Sequence, residues 1–196
     1  MFLSGDDPEL LVGNFMGDFV KGPLGDAWPP RIRQGLLLHR KIDSFAQKDY
    51  WFQTSRMRLS SRYGLFRGVL VDLFYDHFLA REWHSWSPLE FPDYLFWART
   101  NIEQRQKIMP PRLQGLVPYI FDELLPSYGT VDGIGAALTR MSRRINRPDS
   151  LSGGEAELHR HYGELKTDFA SFIRNARQFA AGFVAEGGEG QASGGS

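Results

Sequence analysis

The sequence predicts an all-α protein, a single-domain helical bundle of about seven or eight helices. Three observations predict it. Apolar residues recur at helical spacing through long stretches, most clearly Leu65–Trp83 and Glu155–Val184. No run alternates apolar and polar residues as a half-buried strand would. Proline, glycine and capping residues punctuate the periodic stretches.

Composition narrows the class further. A chain of 196 residues with 42% apolar and 14% aromatic content can bury one substantial core. A formal net charge of zero argues against a generic nucleic-acid binder. The absence of cysteine removes disulfides, zinc–thiolate sites, iron–sulfur clusters and cysteine nucleophiles. Met1-Phe2-Leu3 leads straight into Ser-Gly-Asp-Asp, so no secretory signal is expected. No apolar run has bilayer length, and the expected location is the cytoplasm.

Taken in order, Asp7 is a helix N-cap with Pro8 at the first helical position. That helix should run to about Val20 and stop at Gly22, with Leu11, Phe15 and Asp18 on one face. Pro23–Pro30 is a loop. From Arg31, the residues Ile32, Leu36, His39, Asp43 and Ala46 share a face, which puts His39 and Asp43 one turn apart among apolar neighbours. A short helix follows over Trp51–Leu59, then the central Leu65–Trp83 helix and a loop at Ser85–Pro92. Phe91–Met109 is helical until Pro110-Pro111 breaks it. Leu113–Leu125 is a helix bent at Pro118, and Thr130–Ile145 leads into the basic run Arg140, Arg143, Arg144 and Arg147. A turn at Arg147–Gly154 precedes the long final helix, Glu155–Val184. One helical domain over 1–184 and a disordered Gly/Ser-rich tail over 185–196 complete the expected organisation.

The chemistry is expected where ionisable groups interrupt apolar stripes. In the central helix, positions 65, 69, 72, 76, 79 and 83 read Leu, Val, Asp, Asp, Leu, Trp. Desolvating Asp72 and Asp76 is costly without a compensating cation, either a divalent metal or a buried arginine. His77 lies about 100° further round the same helix. Asp18, the His39/Asp43 pair and the Asp72/Asp76/His77 group come from three helices, as ligands to one site inside a bundle do. Carboxylates with imidazoles suit Mn²⁺, Mg²⁺ or Fe²⁺ and suit structural zinc poorly. An ion so held lowers the pKa of bound water and polarises a phosphoryl oxygen, so phosphate-ester hydrolysis is the natural reaction class. His84, His159 and His161 are weaker candidates, and no phosphate-binding loop, dinucleotide fingerprint or serine-nucleophile elbow is present.

Between Phe19 and Arg67 stand ten basic residues and three acids, an excess of seven positive charges. Arg31, Arg33, Arg40, Lys41, Arg56, Arg58 and Arg62 are the candidate docking residues for an anionic partner.

Three stretches together, GNFMGDFVKG (Gly13–Gly22), HRKID (His39–Asp43) and DLFYDHFLAREW (Asp72–Trp83), resemble the bacterial acyl carrier protein phosphodiesterases. The likeness extends through SPLEF and FPDYL to about Phe183. It implies an all-α, HD-domain-like, manganese-dependent enzyme that removes the 4′-phosphopantetheine arm from holo acyl carrier protein and leaves the apo protein. It also implies that Asp18, His39, Asp43, Asp72, Asp76 and His77 form the site. Of these, Asp18, His39, Asp72 and Asp76 are expected to bind metal and His77, Asp43 and His39 to serve catalysis, with His77 as general acid toward the departing serine. Members of that family usually begin with a stretch carrying an early histidine, which is absent before Phe2 here. The resemblance then implies weaker metal binding and, through an uncovered groove, exchange of segments between chains. Two other functions compete: an HD-type hydrolase of a nucleotide or other small phosphate ester, and a non-enzymatic helical binding module.

Overall fold

Asp7 starts the first helix as its position predicts. Its carboxylate accepts from the backbone N–H groups of Glu9 and Leu10, each at 2.9 Å, and α1 spans Pro8–Met16. In this computed structural model residues 1–25, 27–144 and 151–192 are described, and no strand occurs among them. The chain continues as α2 (Pro30–Ala46), α3 (Tyr50–Arg58), α4 (Arg67–Arg81) and α5 (Phe91–Gln104). Three short pieces follow, α6 (Pro111–Gln114), α7 (Val117–Tyr119) and α8 (Leu125–Ser127). Then come α9 (Val131–Arg144), α10 (Glu155–Arg160) and α11 (Tyr162–Ala192). No described helix is long and apolar enough to cross a membrane.

The boundaries differ from the sequence expectation where local chemistry intervenes. Gly17–Phe19 tightens into a 3₁₀ turn, so α1 ends before Asp18. Gly64, at φ 49° and ψ −121°, bends the chain and delays α4 to Arg67. The expected Leu113–Leu125 helix breaks up, because Pro118 and Pro126 remove N–H donors and Ile120–Leu124 widens into a π-turn. His161, at φ −114° and ψ 24°, divides the expected final helix into α10 and α11. The backbone of α11 stays helical to Ala192, past residue 185 where an irregular tail was expected; residues 193–196 lie outside the described residues. Asp26 and residues 145–150, which include Arg147 and the first half of the expected turn, also lie outside them.

The chain forms two compact units, each assembled from separate stretches. The first comprises Met1–Gln47, Tyr94–Val117 and the chain from Ile173 on. In it α1 and α2 meet backbone to backbone: a Cβ on Gly13 would stand 2.1 Å from the Ile32 carbonyl oxygen, and one on Gly35 2.4 Å from that of Leu10. Leu10, Leu11, Met16, Leu36 and Leu38 are fully buried there, and Phe45 stacks on Phe179 with ring centroids 4.7 Å apart.

The second unit comprises Lys48–Asp93 and Pro118–Phe172. Phe52, Phe74, Phe78 and Phe169 are its largest fully buried side chains, each contributing about 1.5–3 kcal/mol of burial. Asp168, also buried, accepts from the Ser55 hydroxyl and the Arg58 Nε, both at 2.9 Å. This carboxylate is thus satisfied by α3.

Candidate active site

The Gly13–Asp18 stretch builds a setting for one imidazole. Gly13 lets α2 approach, and Gly17 leaves the space that the His39 ring fills: a Cβ there would fall 2.0 Å from His39 Cγ. Asn14 Oδ1 lies 3.2 Å from His39 Nδ1, and Asn14 Nδ2 donates to Ser4 Oγ at 2.9 Å. On the other edge of the ring, His39 Nε2 faces Asp18 Oδ1 at 3.7 Å and Asp43 Oδ2 at 3.5 Å. The imidazole side chain is only 19% exposed, whereas those of Asp18 and Asp43 are 76% and 67% exposed. The surrounding protein nevertheless raises the Asp43 pKa above the ordinary carboxylate range; Asp18 adds to the rise while His39 and Lys21 oppose it.

The expectation that these carboxylates sit on core-facing stripes is therefore corrected. Asp18 lies on the 3₁₀ turn after α1 and is turned toward water. Asp72 and Asp76 are likewise exposed, one turn apart on the open face of α4. The buried side of α4 is Leu70, Val71, Phe74, Tyr75 and Phe78, and Leu65, the start of the expected stripe, is 92% exposed. Asp76 reaches solvent, yet desolvation by the protein around it pushes its pKa up to about 6.

His77 is the clearest correction. It is fully buried, its Nδ1–H donates to the Tyr128 carbonyl at 2.8 Å, and its Nε2 accepts from the Tyr162 hydroxyl at 3.0 Å. Burial holds its pKa below the ordinary histidine value. A ring with both nitrogens satisfied inside a core is a structural crosslink of the second unit, and the general-acid role is withdrawn.

Of the expected site residues, the structure brings Asp18, His39 and Asp43 together in the first unit. Their chemistry suits a hard or borderline divalent ion: two carboxylates and an imidazole whose far nitrogen is already held by an amide. Ligand bonds of about 2.1 Å place neighbouring donors roughly 3 Å apart, so the gaps to Nε2 are slightly wide. In keeping with this, no group of three or more His, Asp or Glu side chains forms a ready metal cage among the described residues.

A family model described as acyl carrier protein phosphodiesterase matches residues 1–176. The chain belongs to this family. The acyl carrier protein phosphodiesterase of Serratia proteamaculans (strain 568) is 31% identical over 172 residues, covering 87% of this chain and 89% of that one. Those of Yersinia pestis and Escherichia coli O157:H7 are 30% and 31% identical, each match covering 83% of this chain and 85% of the relative. No solved structure matches.

In this phosphodiesterase-family chain Gly13, Asn14 and Gly17 build the His39 setting. Several expected docking residues have other duties. Arg31 pairs with Asp7 at 2.7 Å, Arg33 donates to the Leu24 carbonyl, and Arg40 donates to those of Val20 and Gly22. Arg58 is committed to Asp168, and Arg56 donates to Gln53. Lys41 and Arg62 are the exposed members of the set, although Arg62 also reaches the Tyr63 hydroxyl. Sequence reasoning missed Ser4, Asn14 and Gly17. The available signal was spacing: Gly13/Gly17 and Asn14/Asp18 are two i, i+4 pairs, one small and one polar.

Proposed function

We propose that the protein hydrolyses the phosphodiester that joins the 4′-phosphopantetheine arm to a serine of holo acyl carrier protein, releasing the apo protein. The observation that carries this reading is the carboxylate–imidazole cluster of Asp18, His39 and Asp43, which lies within the residues that the family model matches. The proposed cofactor is Mn²⁺, with Mg²⁺ or Fe²⁺ as alternatives, and its proposed ligands in the first unit are Asp18 and His39. When bound, such an ion supplies an activated water and offsets phosphate charge. His39 contributes Nε2, held toward the carboxylates by Asn14 behind it and by the space at Gly17. Asp43 takes the proton-transfer role once assigned to His77: it is open to solvent and stands 3.5 Å from His39. The departing serine alkoxide is a poor leaving group that needs such a donor.

For the carrier protein, Lys41 and Arg62 offer exposed positive charge. On α3, Tyr50 and Met57 are 70% and 75% exposed and line a shallow depression with Gln53, Thr54 and Arg58. An acidic partner with an apolar contact patch suits these features. The protein is proposed to act in the cytoplasm.

The test is intact-mass spectrometry of holo carrier protein incubated with the enzyme and Mn²⁺, in water enriched in ¹⁸O. The carrier should lose the arm, and label should appear in released 4′-phosphopantetheine. Label in the carrier serine would refute attack at phosphorus. No mass loss, with turnover of nucleotides instead, would favour the small-ester reading.

A further inference from the structure

We infer that Asn14, anchored by Ser4, fixes the tautomer of His39, so that Nδ1 carries the proton and the Nε2 lone pair is turned on Asp18 and Asp43. Neither residue touches the carboxylates; both are positioning residues. The assignment follows from the direction of two hydrogen bonds. Asn14 Nδ2 donates to Ser4 Oγ at 2.9 Å, which leaves Asn14 Oδ1 as the atom facing His39 Nδ1 at 3.2 Å. A carbonyl oxygen only accepts, so Nδ1 must donate. In the neutral ring Nε2 then has no proton and is free to ligate.

Burial gives this relay its force. Ser4 and Asn14 are 4% and 5% exposed, so an Asn14 oxygen facing a bare Nδ1 would be a desolvated clash of lone pairs. The opposite tautomer requires the Asn14 amide to turn over and Ser4 to become the donor. It would put an Nε2–H between two carboxylates and block that nitrogen as a ligand. Gly17 closes the arrangement, since the ring has no room to swing past a side chain at that position. A ligand histidine oriented through its second nitrogen is the general device, and loss of the orienting partner typically costs 10–100-fold in metal affinity.

This inference rests on the proposed metal-assisted reaction for its purpose, but its first readout does not depend on metal or substrate. Side-chain ¹⁵N–¹H correlation spectra of the metal-free protein, at a pH where His39 is neutral, report which ring nitrogen is protonated. Wild type should show the Nδ1–H form. Asn14→Ala should shift His39 toward the Nε2–H form and weaken Mn²⁺ binding, followed by the signal of free Mn²⁺ in paramagnetic resonance, by about 10–100-fold. Asn14→Asp, which preserves an acceptor, should keep the Nδ1–H form and bind Mn²⁺ within a few-fold of wild type. Ser4→Ala, which frees the amide, should give a mixture of tautomers; it decides the matter if Asn14→Ala does not fold. An Nε2–H ring in wild type, or an unchanged ring in both Asn14→Ala and Ser4→Ala, would overturn the inference. If wild type binds no Mn²⁺ while the tautomer still follows Asn14, the metal reading fails and the positioning role stands.

Discussion

Gly17→Ala tests how closely the seat of His39 is fitted to its ring. The backbone of Gly17, at φ −50° and ψ −42°, accepts alanine without strain. Its new Cβ would stand 2.0 Å from His39 Cγ, and ordinary contact begins at 3.4 Å, so the ring must retreat by about 1.4 Å. His39 Cβ would lie 2.6 Å from the new atom and is fixed to the α2 backbone, so α2 must shift along with the ring. A misplacement of about 1 Å in a catalytic group costs on the order of 10²-fold in rate. That is about 2.7 kcal/mol of transition-state stabilisation. The assay is the initial rate of arm release from holo carrier protein, alongside thermal unfolding of the same sample. The expected result is a drop of about 100-fold in kcat/KM for the folded protein, together with a loss of about 1–3 kcal/mol in stability as α2 gives way. Wild-type activity in Gly17→Ala would refute the claim that this hole seats a working imidazole.

Other consequences follow from the same geometry. Gly13→Ala meets the rigid Ile32 backbone at 2.1 Å, so it should part α1 from α2 and cost about 1–3 kcal/mol in urea unfolding. Burial raises the Asp7 pKa, but the Leu10 N–H, Arg31 and the Glu9 N–H outweigh it and leave the value lowered. Asp7 therefore stabilises the fold above its unfolded value near 3.8 and loses that effect as pH falls through its folded value. Asp7→Ala should cost about 1 kcal/mol at pH 7 and almost nothing below both values. Desolvation lowers the His77 pKa, so the unfolded chain binds that proton more readily and stability should decline as pH drops below about 6.5. His77→Gln should flatten that decline and lower stability, while the folded protein keeps its kcat. Lys41→Glu with Arg62→Glu should raise KM for the carrier protein at low salt, with a smaller effect at high salt and none on a small chromogenic diester.

The helices were legible because caps and prolines mark their ends locally: Asp7-Pro8 and Pro110-Pro111 act through neighbouring backbone groups. The His39–Asp43 pair was legible because i, i+4 spacing on a helix is nearly a distance. The facing of α4 was not. With Leu70, Val71, Leu73, Phe74, Tyr75 and Phe78 spread around it, apolar residues are not confined to one side, and period alone cannot choose the buried face. The choice turned Asp72 and Asp76 outward and His77 inward. Composition registers charge but not its partner: Arg31, Arg40 and Arg58 also bind Asp7, loop carbonyls and Asp168. Asn14 and Gly17 act across the α1–α2 contact, which no local pattern reports.

The central claim is that the cluster around His39 is the working centre of a carrier-protein phosphodiesterase. Its most direct test is the single-turnover rate of arm release by His39→Gln, beside wild type, with saturating holo carrier protein and Mn²⁺. Loss of more than about 100-fold, with unchanged helical circular dichroism and unchanged affinity for the carrier protein, is the predicted result. A rate within a few-fold of wild type would contradict the account.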